Sequence, residues 1–288
     1  MKWTEISDSP HTKRFELLSE ELKLSGIENS FVATELPVEF RDPGFFSNEE
    51  GCDQFRNFVN QFKLKYDQIR VGGFFRENID LFSHEYPAEL MQIRVLDSLV
   101  KSQDRWWPRN QQFHAFISVM IHEIKKFDFS APILVVGANA DSKTMISALI
   151  KLGFSHFNIT DINSEKSRNL VSELKRCYFS SRFEVTEIGY VTQLSNIFSI
   201  GVNGISGDLD ETTRMAVIYF NFLIKDGLWI ESSARATSVL ADEAKTFGFS
   251  VWSGIDMISN LDFIWAQSVL KGNIDLARLK ESYSQKLF

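Results

Sequence analysis

The sequence predicts an α/β fold in two parts: an N-terminal α/β domain, then a Rossmann-like parallel-sheet domain. Three observations predict it. From Ile133 onward, short apolar runs alternate with helical stretches, the pattern of a parallel sheet covered on both faces. The segment "ILVVGANADS" runs an apolar strand pattern into Gly137 and then into a helix, as a dinucleotide-binding βαβ unit begins. With 288 residues, 44% of them apolar and 24% charged, the chain can bury one large core or two moderate ones.

In order along the chain, "HTKRFELLSEELKLSG" carries helical periodicity through Phe15, Leu17, Leu18, Leu22 and Leu24, and Gly26 is its expected C-terminal cap. "SFVATELP" reads as a strand. "CDQFRNFVNQFKLKY" sets Phe55, Phe58, Val59 and Phe62 on one helical face. "DQIRVGGFF" is a strand entering a glycine turn, and "FHAFISVMIHEIKKFD" is a helix. Then come strand "ILVVG", helix "SKTMISALIKLG", strand "HFNITDI", helix "SEKSRNLVSELKRCY" and strands "FEVTEI" and "NIFSIGV". A helix through "ETTRMAVIYFNFLIKDG", strand "LWIES", helix "TSVLADEAKTFG", strand "SVWSG" and a final helical stretch, "DMISNLDFIWAQSVLKG", complete the pattern.

The net charge of −7 weighs against nucleic acid as a partner. No apolar run approaches the roughly 18 residues of a membrane span, and "MKWTEISDSPH" lacks a signal-peptide core. Cys52 and Cys177 stand far apart, and the histidines show no metal-binding spacing. A cytoplasmic chain without a metal is the expectation. The 26 phenylalanines imply bulky cores and name no ligand.

In the loop, Gly137 permits a tight turn, and the helix opening near Ser142 offers N–H groups and a positive dipole to phosphate. Asn139 replaces the glycine at which backbone approaches pyrophosphate, and Asp141 adds a negative charge; both weaken binding. Asn139 is tolerable there because asparagine visits left-handed conformations. Asp161, 24 residues after Gly137, has the spacing of a carboxylate that binds an adenine ribose, which selects NAD over NADP. It serves equally as a cap for the helix near Ser164.

Taken in order, several segments resemble the shikimate dehydrogenase family over nearly the whole chain. Ser7-Asp8-Ser9-Pro10 matches the family's S-L-S-P, whose serines hold the substrate carboxylate. Arg70-Val-Gly-Gly-Phe-Phe-Arg76 matches N-V-T-I-P-H-K, which ends in the catalytic lysine. Asp97-Ser-Leu-Val, Asp104-Arg-Trp and Arg109-Asn-Gln-Gln-Phe113 match N-T-L-V, G-R-W and Y-N-T-D-G without a gap. The phosphate loop, "ARATSVLADEAKTFG" and "SGIDM" fall in register. The resemblance implies a substrate-type domain over 1–112, to which the C-terminal helices of 255–288 return, and a dinucleotide-binding domain over 113–254. It implies Ser7, Ser9 and Asp97 as substrate-binding residues, and Arg76 and Gln112 at the catalytic positions. Gly137, Asn139, Ser142, Asp161 and Met257 would bind the cofactor, NAD, with Met257 near the nicotinamide.

Departures accompany these matches. Arg76 replaces the lysine and Gln112 the aspartate that together handle the proton; arginine stays protonated and glutamine does not titrate. Gly72 replaces a threonine, Phe74 and Phe75 a proline–histidine pair, and Leu261 a glutamine. With only six residues before Ser7, the first strand is expected to be shortened or absent. Shikimate oxidation itself is therefore not expected. An NAD-linked oxidoreductase acting on another small carboxylate-bearing substrate is the leading reading, with a small anionic molecule and a second copy of the chain as partners. A silent relative that binds a small acid, nucleotide or protein, and a non-redox enzyme on the same scaffold, stay open. So do plainer roles: helix entry for Ser7 and Ser9, a surface position for Arg76 beside Glu77, and a turn for Asp97. Arg70, Arg76, Asp97 and Arg109 are candidates for one polar cluster. Trp106 in "QDRWWPRN" and Trp265 in "FIWAQ" read as ordinary packing.

Overall fold

A computed structural model describes residues 1–123, 127–205, 209–234, 238–271 and 273–288. The strands are β1 (Lys2–Ile6), β2 (Ser30–Val32), β3 (Gln68–Val71), β4 (Ser98–Ser102), β5 (Arg105–Arg109), β6 (Ile133–Val136), β7 (His156–Thr160), β8 (Arg182–Val185), β9 (Phe198–Asn203), β10 (Leu223–Glu231) and β11 (Ser250–Trp252). The helices are α1 (Thr12–Leu24), α2 (Glu49–Lys65), α3 (Ala88–Ile93), α4 (Gln111–Glu123), α5 (Ala140–Lys151), α6 (Ser164–Cys177), α7 (Glu211–Val217), α8 (Val239–Thr246), α9 (Gly254–Leu270) and α10 (Leu276–Lys286). They form two compact units, Met1–Gln112 with Asp262–Leu287, and Phe113–Leu261. The first ends two residues into α4 and resumes within α9.

The first unit is built on a five-stranded sheet of order β2-β1-β3-β4-β5. β1 pairs in parallel with β2 and β3, while β4 is antiparallel to both β3 and β5. A phenylalanine-rich core centred on Phe40, Phe55, Phe75 and Phe82 fills one side. Phe75 lies flat on Phe55, with ring centroids 4.9 Å apart. The other side carries Trp3, Phe15 and Trp265, with the two indoles 4.9 Å apart. α10 packs on α1.

The expectation of a shortened or absent first strand is corrected here. β1 has five residues and lies inside the sheet, next to β2 on one side and β3 on the other. Its polar residues are buried with partners: Thr4 Oγ1 donates to the Val32 carbonyl at 2.6 Å, and Glu5 accepts from His11. The strand expected over "SFVATELP" is confined to Ser30–Val32.

The second unit holds a six-stranded sheet of order β11-β10-β9-β6-β7-β8. All five ladders are parallel. This is the doubly wound Rossmann order, with its switch point between β6 and β9. Apolar clusters cover both faces, one around Ile133, Val135, Met145 and Leu149, the other around Leu134, Val136, Phe222 and Trp229. The helix expected through "ETTRMAVIYFNFLIKDG" stops at Val217, and Leu223–Glu231 is strand. Phe220 turns the chain at φ +50 and buries its ring against Trp229, with centroids 5.0 Å apart. Of the helix expected in "ARATSVLADEAKTFG", α8 begins at Val239, and residues 235–237 lie outside the described residues, as do 124–126 of "HEIKKFD". Among the described residues no helix is long and apolar enough to cross a membrane, and no cluster of three or more His, Cys, Asp or Glu could hold a metal.

Candidate functional site

Strand direction gathers one set of side chains on a single rim of the first sheet. β1, β3 and β5 end there, and β4 begins there, because β4 alone runs the opposite way to its neighbours. Backbone bonds stitch the rim: Gly72 N–H to the Ile6 carbonyl at 2.9 Å, Val71 N–H to Asp97 at 2.8 Å, and Asp97 N–H to Arg109 at 2.9 Å. Ser7, Gly72, Asp97 and Gln112 thus stand on adjacent chain ends, the carboxyl-end position at which α/β sheets take ligands.

Asp97 is buried and already engaged. Its Oδ1 accepts from Ser98 Oγ at 2.7 Å, and its Oδ2 accepts from the Gln112 backbone N–H at 2.7 Å. A carboxylate on the first turn of α4 satisfies a terminal N–H and complements the helix dipole. Arg76 lies in the last turn of a short segment, Gly73–Glu77, and its Nη2 donates to Gln112 Oε1 at 2.5 Å. The side chains at the catalytic positions of the resemblance therefore touch each other, and Gln112 links them to Asp97. Ser7 is buried, with its Oγ accepting from the Ser9 N–H at 3.1 Å, while Ser9 itself is exposed.

The proposed grouping of Arg70, Arg76, Asp97 and Arg109 does not form. Arg109 pairs with Glu89 at 3.6 Å. Arg70 joins a separate buried cluster, 3.2 Å from Asp262, which also takes a two-pronged contact from Arg14 at 2.7 Å and the Tyr283 hydroxyl at 2.6 Å. Burial opposes the charge on Asp262, but Arg14 and Arg70 outweigh it and hold the carboxyl below its ordinary range. The Tyr283 hydroxyl is pushed well above its ordinary range, first by burial and then by Asp262. This cluster fastens the C-terminal residues to α1 and β3.

Two acidic residues that sequence reasoning did not assign stand beside Ser7. Glu5 is 4% exposed; its Oε2 accepts the His11 backbone N–H at 2.7 Å, and its Oε1 lies 3.0 Å from His11 Nδ1. A β-carbon at Gly72 would sit 2.6 Å from Glu5 Oε1 and 2.7 Å from Ser7 Oγ. Gly73, at φ +59, leaves room for Asp8, whose Oδ1 would lie 1.4 Å from a β-carbon there and accepts the Phe74 N–H at 3.2 Å. No local sequence pattern signalled Glu5.

In the second unit, Gly137 follows β6 at φ +96, and its N–H donates to the Thr160 carbonyl at 2.7 Å. Asn139 is extended, at φ −146, so tolerance of left-handed geometry is not what admits it. It caps α5 instead: its Oδ1 accepts the Ser142 N–H at 3.0 Å, and its Nδ2 donates to the Gly204 carbonyl at 2.6 Å. Ser142 Oγ donates back to the Gly137 carbonyl at 2.6 Å. Asp161 closes the arrangement from the end of β7, accepting the Ala138 N–H at 2.9 Å through Oδ2 and the Asn163 N–H at 2.8 Å through Oδ1. Asn163, not Asp161, caps α6. Each carboxylate oxygen keeps a second acceptor site.

The loop is closely fitted. A β-carbon at Gly137 would meet Ile205 at 2.8 Å, and one at Gly204 would meet Ser142 Oγ at 1.9 Å. Gly204, at the switch point after β9, was missed by sequence reasoning, although a glycine directly after an apolar strand was its signal. A glycine-walled turn before a helix N-terminus, with a carboxylate at the next strand end, fits a dinucleotide. Asn139 and Asp141 narrow that fit. Met257 is buried in the cluster around Phe116 and Ile133. Glu231 was also missed; buried at the end of β10, it accepts from Asn203 Nδ2 at 2.9 Å and Trp229 Nε1 at 2.7 Å, tying neighbouring strand ends together.

Together these features define a two-unit α/β fold: a mixed sheet with a polar rim, and a doubly wound sheet with a glycine turn at its switch point. The particular fold is that of shikimate dehydrogenase. No family model and no curated protein matches the chain in sequence. Among solved structures, shikimate 5-dehydrogenase from Listeria monocytogenes in complex with shikimate and NAD superposes with a TM-score of 0.77 at 12% identity, covering 97% of this chain and 95% of that one. Quinate dehydrogenase from Corynebacterium glutamicum in complex with NAD gives 0.76 at 11% identity, covering 99% of each chain. The ligand-free 5-ketofructose reductase of Gluconobacter sp. strain CHM43 gives 0.74 at 12% identity, covering 100% of this chain and 99% of that one.

Proposed function

We propose that this chain is a divergent shikimate dehydrogenase-like oxidoreductase that uses NAD and acts on a small hydroxylated substrate other than shikimate. The observation that carries the reading is the Asp161 carboxylate, held against the Gly137–Ser142 turn by the Ala138 N–H. A carboxylate there accepts from ribose hydroxyls and repels a 2′-phosphate, which favours NAD over NADP. Gly137, Ser142 and Asp161 would hold the dinucleotide, with Asn139 lining the turn and narrowing the approach to its pyrophosphate; when bound, the dinucleotide supplies or accepts hydride. Residues 113–254 would form the cofactor domain, and 1–112 with 255–288 the substrate domain.

Ser7, Ser9 and Asp97 would line the substrate site, with Arg76 fixed by Gln112 as a permanent cation. Neither Arg76 nor Gln112 can take up a proton at working pH, so water would carry the proton that accompanies hydride transfer. That same pair favours a second reading, a catalytically silent relative that binds small molecules. A homodimer remains part of the proposal.

The test is calorimetric titration of the purified chain with NAD, NADH, NADP and NADPH. NAD or NADH should bind, and Asp161→Ala should weaken binding about tenfold or more, the worth of hydrogen bonds to a charged group. Equal affinity for NADPH, or an Asp161→Ala variant that binds NAD as well as the parent, contradicts the assignment. No binding of any of the four removes the oxidoreductase reading.

A further inference from the structure

We propose that Glu5 sets the ligand class of the first unit's rim, so that it takes a neutral polyhydroxylated molecule and rejects a carboxylate. This rests on the reading above only in treating that rim as the substrate site.

The argument starts from space. In the resembled family a threonine follows the first two residues of the β3 turn motif, and here Gly72 stands in its place. The room this frees holds Glu5 Oε1 and Ser7 Oγ, 2.6 and 2.7 Å from where a β-carbon would be. A carboxylate buried to 4% exposure therefore borders the serine that would otherwise receive a ligand carboxylate. Asp8 stands on the adjoining side, held by the Phe74 N–H in room left by Gly73. Two negative charges flank Ser7, each admitted by a glycine.

Carboxylates accept hydrogen bonds and donate none when ionised, so they match ligand hydroxyls and clash with ligand carboxylates. Glu5 spends one acceptor position of each oxygen on His11 and keeps others. An ammonium ligand would answer the negative charge, but Arg76, a permanent cation on the same rim, opposes it. A neutral ligand with adjacent hydroxyls satisfies both kinds of group. It meets no like charge.

The experiment is calorimetric titration of the full chain, without dinucleotide, against matched pairs differing by one group: glucitol with gluconate, and galactitol with galactonate. Each neutral member should bind at least about 100-fold more tightly than its acid, the equivalent of roughly 3 kcal/mol. Glu5→Gln keeps the size and an acceptor for His11 but removes the charge, and should narrow that gap about tenfold or more. If Glu5→Gln does not fold, Asp8→Asn tests the flanking charge and should narrow the gap by a smaller factor. Acids binding as well as neutral partners overturn the proposal. So does a gap that neither variant changes, or a lack of binding by every neutral probe. Dinucleotide titration reads the cofactor separately, so polyol binding without NAD binding would leave this inference standing and remove the oxidoreductase reading.

Discussion

Replacing Asp262 with asparagine removes an anion that two buried arginines share. Asp262 is fully buried and takes two contacts from Arg14 at 2.7 Å, one from Arg70 at 3.2 Å and the Tyr283 hydroxyl at 2.6 Å. Asparagine can answer some of these bonds but none of the charge. Breaking a buried pair strands its partner, at a cost of about 3–5 kcal/mol. At roughly 2–4 °C per kcal/mol for a unit of this size, the melting temperature should fall by about 10 °C. Calorimetric melting followed in parallel by tryptophan fluorescence is the assay, since Trp3 and Trp265 lie beside Arg70 and Phe15. The pH profile supplies a second check. Asp262's folded carboxyl lies below its ordinary range, so its contribution is complete above about pH 4 and is lost as pH falls through the lower, folded value. Asp262→Asn should therefore lose less stability than the parent on acidification below about pH 4. A melting temperature lowered by less than about 2 °C would refute the cluster as an ionic fastening of the C-terminal helices.

The two glycine turns give further expectations. Gly73→Ala places a β-carbon 1.4 Å from Asp8 Oδ1 at φ +59, and should destabilise the first unit by about 1–3 kcal/mol in urea unfolding; an unchanged midpoint would mean the turn relaxes freely. Asn139→Gly removes the side chain that stands where backbone should approach pyrophosphate, and replacing the cap by glycine costs only a few tenths of a kcal/mol. Its NAD affinity should rise several-fold in the same titration; weaker binding would make Asn139 a ligand contact, not an obstruction.

The α/β alternation of the second unit was legible because its strands are buried on both faces and read as continuous apolar runs, as "ILVV" does. β1 was not legible. Its Thr4 and Glu5 are polar yet buried, satisfied by Val32 and His11, partners that no local pattern announces. The overrun of α7 has a related cause: the turn at Phe220 is made without glycine or proline, by a residue held at φ +50 through packing against Trp229. In the loop, Asn139 was identified as a departure, but its work as a cap reaching Gly204 depends on a strand end 65 residues away. Glu5 was invisible for the same reason, since its meaning comes from Gly72 on the neighbouring strand.

The polar groups on the first rim also bear on whether it is an organised site. Random loss leaves buried polar groups without partners, an expensive outcome at roughly 1–3 kcal/mol each. Here several of the polar groups come in fitted pairs. Gly72 accompanies Glu5, Gly73 accompanies Asp8, and Arg76 meets Gln112. Asp97 caps the helix that carries Gln112. Each of these side chains occupies room that a glycine leaves or bonds to a neighbour on the rim. Two carboxylates against one serine make ligand charge the property most worth varying.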